Sequence, residues 1–309
     1  MSEMFDVVSV GSATVDVLVK SEAFQVRGRN LCEVYGAKME VEEAVVEIGG
    51  SATNSAVSFA RKELKTACVS EIGKDLGGRL VKWGLAEEGV VTDYLVEEEG
   101  EETAVAAILV AGSGERSVVV HRGASAMLGK DDFPWEIKTR WLHVGSLGGN
   151  MRLLERVLKW AKKEGVRVSF NPGSKEIEKR ERTLKLLLLV EVLFVNREEA
   201  ERLFDIPFGD REVWESECCP TGAKVTVVTD GARGGKMCVR GECEFWSGIK
   251  TKKVVDTTGA GDAFASGFVS AVLYGLDYRM ALEWGKKNAA SVIKYMGAKR
   301  GLLSLAEIR

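Results

Sequence analysis

Short apolar runs alternate with longer amphipathic stretches along the 309-residue chain, and this alternation constrains the fold more than any other feature. The short runs are typical of buried strands, whereas the longer stretches place apolar residues three and four positions apart, as helices do. Such alternation predicts an α/β fold with a mostly parallel sheet covered by helices on both faces. The predicted strands are 7–10, 67–72, 141–144, 166–170, 192–195 and 225–229. The predicted helices are 54–64, 76–88, 151–163, 197–204, 261–274 and 278–295.

A second group of segments is rich in β-forming residues and has no helices between its members. It predicts a small antiparallel sheet, which we interpret as a lid inserted from about 15–48 and 93–122 into a single α/β domain spanning 1–309. Its predicted strands are 15–19, 34–48, 93–96, 103–110 and 116–122. The insertions account for the length of the chain without a second independent domain.

Composition excludes several classes of function. Lysines and arginines number 43 and acidic residues 46, so the net charge of −3 lacks the basic excess that non-specific nucleic-acid binding needs. No stretch reaches the roughly 18 apolar residues of a membrane helix, and the N-terminus does not resemble a secretion signal. We therefore expect a cytoplasmic protein with neither a membrane nor a nucleic acid as partner.

The six cysteines are scattered without a Cys-x-x-Cys pair. In a chain of this length, this pattern predicts reduced thiols in the core and on the surface. The adjacent Cys218 and Cys219 are the unusual pair, but only two histidines are available to complete a metal site with them.

The segment 256–268 carries the sharpest chemical signal. A predicted strand over 252–255 leads into Asp-Thr-Thr-Gly-Ala-Gly-Asp-Ala-Phe, and a helix begins near Gly261. Glycines let the backbone approach an anion closely, and the N-terminus of a helix stabilises negative charge. Asp262 lies at the mouth of this anion hole, where its carboxylate can accept the proton of an attacking hydroxyl. The arrangement indicates phosphoryl transfer.

Other interpretations of this segment are weaker or remain open. From spacing alone, Gly259 and Gly261 could simply form a tight turn, with Asp262 capping the helix. A dinucleotide-binding fingerprint would need glycine where Phe264 stands. A P-loop over 230–237 also fails, because Asp230 and Met237 occupy the positions of its first glycine and its magnesium-binding hydroxyl.

Residues 256–269 resemble, position by position, the C-terminal signature of the ribokinase-like (phosphofructokinase-B type) carbohydrate kinases. A second family signature, a Gly-Gly pair leading to Asn at a helix start, is similar to Gly49-Gly50-Ser-Ala-Thr-Asn54. Weaker motifs of the family follow in order at 11–16, 196–199 and 229–234. The resemblance covers essentially the whole chain and implies a three-layer sandwich with a small β-sheet lid.

The resemblance implies a role for each matching residue. Asp262 becomes the catalytic base, with the backbone of Gly259, Ala260 and Gly261 as the anion hole. Sugar hydroxyls are expected to contact a set that mixes donors, acceptors and close-approach glycines, as polyol binding requires: Thr14, Asp16, Gly49, Gly50 and Asn54. The expected nucleotide contacts are Asn196, Thr229, Gly231, Gly234 and Asn288.

The resemblance further implies ATP as the phosphoryl donor and Mg²⁺ held by Asn196 and Glu199 through water. On the sequence alone, Glu199 is equally an ordinary glutamate in the first turn of a helix. The backbone carbonyls of Asp256 and Thr258 correspond to a K⁺ site that many members have, and the need for K⁺ stays open here. Relatives often form homodimers through the lid, and the same arrangement is open for this chain.

The sequence therefore predicts an ATP-dependent kinase that phosphorylates a primary hydroxyl of a sugar or sugar derivative. Two departures argue against a strict ribokinase: Ser51 stands where ribokinases have Lys, and Thr14 replaces an Asn that contacts the sugar. The tripeptide Gly49-Gly50-Ser51 is similar to the corresponding motif of family members that phosphorylate nucleosides. A nucleoside kinase of the same family is therefore the alternative. A non-catalytic sugar- or nucleotide-binding protein is the third interpretation.

Overall fold

The computed structural model describes residues 4–28, 30–33, 35–36, 38–113, 115–252 and 254–309. Its strands are β1 Val7–Val10, β2 Thr14–Ser21, β3 Gln25–Arg27, β4 Asn30–Cys32, β5 Glu43–Gly49, β6 Thr66–Gly73, β7 Leu95–Glu98, β8 Ala104–Ala111, β9 Arg116–His121, β10 Trp141–Val144, β11 Arg167–Phe170, β12 Val192–Asn196, β13 Val225–Thr229, β14 Gly235–Val239 and β15 Glu242–Trp246. Its helices are α1 Ser51–Ala60, α2 Leu76–Glu87, α3 Met151–Glu164, α4 Ser174–Glu178, α5 Arg180–Leu186, α6 Arg197–Phe204, α7 Arg211–Ser216, α8 Ala260–Leu273, α9 Tyr278–Val292 and α10 Leu305–Ile308. None of these helices is long and apolar enough to cross a membrane.

A nine-stranded sheet forms the centre of the molecule, in the order β15-β14-β13-β12-β11-β10-β1-β6-β7. Every neighbouring pair from β13 to β7 is parallel, and only the β13–β14–β15 edge is antiparallel. Val7 and Val8 are both fully buried but belong to different apolar clusters, because successive side chains of a strand point to opposite faces. Helices therefore cover both faces, which confirms the predicted α/β layers.

The six strands and six helices predicted for this sandwich are present, with ends that differ by a few residues. Helix α1 begins at Ser51 rather than at residue 54, since Gly50 takes the cap position and small residues fill its first turn. The strand predicted over 252–255 is wrong for the residues described there, and Lys253 lies outside them. The backbone N–H of Val255 instead donates to the carbonyl oxygen of Ile293, just after α9, so no strand partner is available.

A separate four-stranded sheet has the order β5-β2-β8-β9. The prediction of a purely antiparallel sheet is wrong, because β2 and β8 run parallel. The run 93–96 was assigned to this sheet, but β7 pairs with β6 in the central sheet and Leu95 is buried there. Of the predicted strand 34–48, only β5 belongs to this sheet; Val34 and Ala37 lie outside the described residues.

The β14–β15 hairpin was not predicted, and it corrects the expectation that every cysteine is reduced. Cys238 and Cys243 face each other in the hairpin register and form a disulfide. A spacing of five residues gives no Cys-x-x-Cys signal, so only the pairing of the two strands reveals the bond. The remaining cysteines are free thiols: Cys32, Cys68, Cys218 and Cys219.

Candidate active site

The predicted site residues lie at the carboxyl ends of the central strands and at the base of the four-stranded sheet. Asn196 and Thr229 end the neighbouring strands β12 and β13, while Thr14 begins β2 and Gly49 ends β5. Thr14 is paired in register with Gly49 and with Ala104, so the first insertion begins and ends here and the second enters the small sheet beside it. Ligands of open α/β sheets bind at this edge.

The N-terminus of α8 supplies backbone N–H groups to this site. Gly259 caps the helix with φ of 73°, in the left-handed region, and a Cβ there would lie 2.5 Å from the Cβ of Ala298. Among the described residues, the N–H groups of Gly259, Gly261 and Asp262 have no backbone acceptor. The N–H of Ala260 differs from the expectation, because it donates to the carbonyl oxygen of Thr257 at 3.3 Å. The open donors can bind an anion.

Asp262 is a half-buried carboxylate in the first turn of α8. The side-chain amide of Asn54 donates to its Oδ2 atom at 2.8 Å. Burial raises the pKa of Asp262 to about 6, against the lowering effects of the Asn54 hydrogen bond and the Lys299 charge. A carboxylate with this pKa is ionised at neutral pH and still basic enough to accept a proton.

Lys299 is a buried lysine that the sequence did not single out. Its Nζ atom donates to the side-chain oxygen of Asn54 and to the carbonyl oxygen of Ile48. Asn54 must therefore turn its NH₂ group toward Asp262, because the lysine can only donate. Burial lowers the pKa of Lys299, while the carboxylates of Glu47, Asp16 and Asp262 oppose that shift. Lys299 lies outside every motif, so no sequence signal identified it.

Asp16 forms the second carboxylate of the site. The hydroxyl of Thr14 donates to its Oδ1 atom at 2.6 Å, and burial raises its pKa. A Cβ on Gly49 would lie 2.0 Å from the Asp16 carboxylate, so only glycine fits beside it. Gly50 has φ of 95° and packs against the backbone of Ser12. Thr14, Asp16 and Asn54 thus combine a hydroxyl, a carboxylate and an amide, a set suited to a polyol.

Glu47 is a further carboxylate near Lys299 that sequence reasoning missed. Its Oε1 atom accepts a hydrogen bond of 2.7 Å from the backbone N–H of Ala298. Burial raises the pKa of Glu47, although the Lys299 charge acts in the opposite direction. Because Glu47 lies on β5 and Ala298 follows α9, this contact joins the small sheet to the C-terminal part of the chain.

A cavity of about 540 Å³ adjoins the N-terminus of α8. Four of the predicted residues line it, namely Thr229, Gly231, Ala260 and Gly261. The stacked rings of Trp246 and Phe264 and the side of α9 complete an apolar wall. Gly234 is not part of the lining: it has φ of 103°, and a Cβ there would lie 1.9 Å from the carbonyl oxygen of Trp246.

Asn288 lies on α9, as predicted, but its side chain does not line this cavity. It is fully buried, donates to the Ser58 hydroxyl at 3.0 Å and to the Ala263 carbonyl at 2.7 Å, and accepts from the Leu303 N–H at 3.0 Å. The amide thereby connects α1, α8, α9 and the C-terminal segment. Its neighbours Ala289 and Ala290 line the cavity instead.

Asn196 and Glu199 form a reciprocal capping box at the start of α6. The Glu199 N–H donates to the Asn196 side chain at 2.8 Å, and the Asn196 N–H donates to Oε2 of Glu199 at 2.9 Å. Among the described residues, Oε1 of Glu199 has no hydrogen-bond partner, while burial raises the pKa of this carboxyl. One available oxygen fits a water-mediated contact to Mg²⁺ better than direct coordination by both residues.

The loop at Asp256 is tightly held. The Asp256 carboxylate accepts from the N–H and hydroxyl of Thr258, at 2.9 and 2.7 Å, and from the Gly297 N–H at 3.0 Å. Within the described parts of the chain, the carbonyl oxygens of Asp256 and Thr258 accept no backbone hydrogen bond. These two oxygens are thus free of backbone partners, as a K⁺ site would require.

Comparisons with known proteins identify the family and the fold. The model of the pfkB family carbohydrate kinases matches residues 4–304. A ribokinase of Haemophilus influenzae is 30% identical over 263 residues, covering 83% of this chain and 84% of the relative.

Two solved structures share the fold over the full length of the chain. The Arabidopsis thaliana ribokinase complexed with ribose and ATP has a TM-score of 0.79 at 25% identity, covering all of this chain and 98% of its own. The Methanocaldococcus jannaschii nucleoside kinase has the same TM-score and coverage at 24% identity. Both the α/β sandwich and the separate small sheet are thus those of the ribokinase fold. The chain belongs to the pfkB family of carbohydrate kinases.

Proposed function

We propose that this carbohydrate kinase transfers the γ-phosphoryl group of ATP to a primary hydroxyl of a sugar or sugar derivative, with Asp262 as the catalytic base. The observation that carries the proposal is the position of Asp262. Its carboxylate lies beside the open N–H groups at the start of α8 and is oriented by Asn54. A base and an anion site at one helix terminus supply the two groups that in-line phosphoryl transfer needs.

In this mechanism, Asp262 accepts the proton of the acceptor hydroxyl as its oxygen attacks the γ-phosphorus. The N–H groups of Gly259 and Gly261 stabilise the negative charge on the transferred group. Because the Asn54 amide is held by Lys299, the Asp262 carboxylate keeps one orientation before the substrate binds. Such preorganisation lowers the barrier without a rearrangement during the reaction.

The acceptor would bind between Asp16 and Asn54, at the base of the small sheet. Hydrogen bonds to the Asp16 carboxylate and the Asn54 amide would fix its hydroxyls. Gly49 leaves the space that the Asp16 carboxylate occupies, so it helps to hold that carboxylate in place. Closure of the small sheet over the acceptor would exclude water that otherwise hydrolyses ATP.

The cavity beside α8 is the proposed ATP site. Its volume and its mixture of apolar walls with the open end of α8 suit an adenosine moiety whose phosphates extend toward Asp262. The solved relative bound to ribose and ATP supports this donor. When bound, Mg²⁺ would neutralise phosphate charge, with Glu199 as its contact through water. The carbonyl oxygens of Asp256 and Thr258 would hold K⁺ beside the anion site.

The substrate class is the finer part of the proposal. Similarity to the Haemophilus influenzae ribokinase favours a free sugar. Ser51 favours the alternative, a nucleoside kinase, because its hydroxyl lies 3.3 Å from that of Ser12 and leaves the space that a lysine side chain would occupy. Parallel assays of sugars and nucleosides with ATP separate these functions by their kcat/KM values.

Replacement of Asp262 tests the mechanism directly. Asp262→Asn keeps the size of the side chain but removes its basicity, so kcat should fall about 10²- to 10⁴-fold with the best acceptor. Asp277→Asn is the matched control, because Asp277 caps α9 away from the cavity and its cap function survives in asparagine. Nearly wild-type turnover by Asp262→Asn would show that Asp262 is not the catalytic base.

A non-catalytic binding protein is the remaining alternative. It predicts that ATP and a sugar bind in calorimetry while no sugar phosphate forms across the acceptor screen. The proposed kinase predicts sugar-dependent formation of ADP, which depends on Asp262.

A further inference from the structure

Three carboxylates converge on a point outside the site described above. Glu71 lies on β6, Glu98 ends β7, and Asp132 belongs to the segment that follows the small sheet. One oxygen atom from each lies within 4.8 Å of the other two. The glutamate run 97–102 reads as a solvated turn in the sequence, but Glu98 turns back toward the protein and meets Glu71.

Glu71 is the informative member of this group. Its side chain is only 1% exposed, and neither carboxylate oxygen has a hydrogen-bond partner among the described residues. An unpaired buried carboxylate is costly, so most proteins pair such a group or let it bind a metal.

The neighbouring glutamates behave differently. Glu97 pairs with Lys82 at 2.7 Å, and Glu99 pairs with Lys74. No lysine or arginine within the described segments forms a salt bridge with Glu71, Glu98 or Asp132. Asp132 is held in place by the Gly129 N–H at 2.8 Å, which orients its carboxylate. Glu98 therefore lies between two glutamates that pair with lysines, but its own carboxylate faces Glu71 and Asp132.

We propose that Glu71, Glu98 and Asp132 bind a hard divalent cation, with Ca²⁺ preferred over Mg²⁺. Three oxygens within 4.8 Å of one another can all lie within about 2.8 Å of a common point, which small rearrangements shorten to the 2.3–2.6 Å of Ca²⁺ coordination. Mg²⁺ demands bonds near 2.0–2.1 Å and a stricter octahedron, so it fits this spacing less well. Water completes the coordination on the side of Glu98 and Asp132, which are half-buried.

The cation would connect three parts of the chain. It joins the ends of two neighbouring central strands to the segment in which the chain returns from the small sheet. This position is distinct from the proposed nucleotide site, because none of the three carboxylates lines the cavity beside α8. Binding there therefore does not depend on the kinase mechanism.

Calorimetry and thermal unfolding test the site in the full chain, without nucleotide, after removal of metals with a chelator. Saturating CaCl₂ should raise the Tm of the wild-type protein by about 2–4 °C, and MgCl₂ should raise it less. Glu71→Gln should weaken Ca²⁺ binding by at least about tenfold and abolish the shift. Without metal, this variant should be about as stable as wild type, because glutamine has the size of glutamate and carries no charge in this buried position.

Two matched variants make the result specific. Glu97→Gln changes the residue next to Glu98 but leaves the three carboxylates, so its Ca²⁺ response should equal that of wild type. Glu199→Gln removes the candidate Mg²⁺ contact of the nucleotide site and should also keep the response. If Glu71→Gln does not fold, Glu98→Gln at the end of β7 should show the same loss of Ca²⁺ binding. Wild-type protein that binds no Ca²⁺ at millimolar concentration, or a Glu71→Gln response equal to wild type, overturns the proposal.

Discussion

At the scale of single residues, a chain of hydrogen bonds orients Asp262. Lys299 holds Asn54, and Asn54 donates to Asp262. The lysine charge and the amide hydrogen bond both lower the pKa of Asp262, but burial has the larger effect and keeps it near 6. Lys299 therefore affects Asp262 in two ways, through its charge and through the position of the Asn54 amide.

The pH dependence of catalysis should report this chain of hydrogen bonds. Asp262 must be deprotonated to act as a base, so kcat/KM should fall as the pH drops below about 6 and reach a plateau above it. Lys299→Met removes a charge that lowers the pKa, so the midpoint of the pH profile should move to higher pH. Initial rates measured from pH 5 to 9 with saturating ATP check both expectations.

Lys287→Met is the control for this experiment, because Lys287 contacts the carbonyl oxygen of Ile308 and lies away from the site. Circular dichroism establishes that each variant is folded. Identical pH profiles for wild type and Lys299→Met would contradict a positioning role for Lys299.

Residues within signatures were predictable, whereas their supporting residues were not. Asp262, Gly49 and Asn54 stand in motifs whose chemistry follows from residue type and spacing. Lys299 and Glu47 are distant from those motifs and meet them only through the fold. A lysine after a helix and a glutamate in a strand are individually unremarkable, so no local pattern distinguishes them from surface residues.

At the scale of elements, neighbouring residues of helix α9 have different roles. Asn288 faces α1 and α8 and satisfies buried polar groups, while Ala289 faces the proposed ATP cavity. The sequence identified the helix correctly, but it could not determine which face turns to the nucleotide. The residues near Asn288 are small, so the helical pattern of apolar residues does not show which of them face the core and which face the cavity.

Two substitutions on α9 separate these roles. Asn288→Ala should lower the free energy of unfolding by about 1–3 kcal/mol, because its partners lose buried hydrogen bonds, and should leave the KM for ATP unchanged. Ala289→Leu places a larger side chain in the cavity and should raise the KM for ATP with a smaller loss of stability. Urea unfolding and ATP kinetics on both variants measure the two effects. A raised KM for ATP in Asn288→Ala, with unchanged stability, would mean instead that Asn288 contacts the nucleotide.

The β14–β15 hairpin should depend on its disulfide for stability. A bond between residues five apart closes a short loop, so reduction should cost about 2 kcal/mol of unfolding free energy. Urea unfolding with and without a reductant measures this difference. The Cys238→Ser/Cys243→Ser double variant should match the reduced wild type and show no response to reductant. Equal stabilities of oxidised and reduced wild type would contradict this expectation.

At the scale of the whole molecule, the small sheet has two different faces. Leu18, Ile108 and Met296 pack together beneath it. On the other face, exposed Val46 and Val119 lie at the ends of a row that runs through Val17 and Ala107, across all four strands. Contiguous apolar surface of this kind is typical of an interface.

We expect this outer face to pair with a second copy of the chain. Val119→Asp should place a charge in the interface and shift a dimer to monomers in analytical ultracentrifugation. Leu188→Asp is the control, because Leu188 is equally exposed but lies outside the small sheet. A monomeric wild type at micromolar concentration, or a dimer that tolerates Val119→Asp, would contradict this interface.

The layers of the molecule were predictable because buried parallel strands and amphipathic helices have distinct periods. The topology of the small sheet was harder to predict from the sequence. The segment 93–96 resembles the strands of that sheet, yet β7 pairs with β6 because it follows α2 in a βαβ unit. Pairing between β2 and β8 joins distant parts of the chain, and no local pattern encodes its parallel direction.

The register of the small sheet also has a mechanical consequence. Thr14, Gly49 and Ala104 are neighbours at the base of the sheet, beside the catalytic groups, while Ser21 and Ala111 form its far end. The seven steps from Thr14 to Ser21 span roughly 23 Å, so a rotation of about 10° at the base would displace the far end by about 4 Å. A small rotation about the base would therefore move the far end of the sheet by several ångströms while Thr14, Gly49 and Ala104 stay almost in place. Changes in length beyond Ser21 would alter how far the sheet extends and leave the residues at its base where they are.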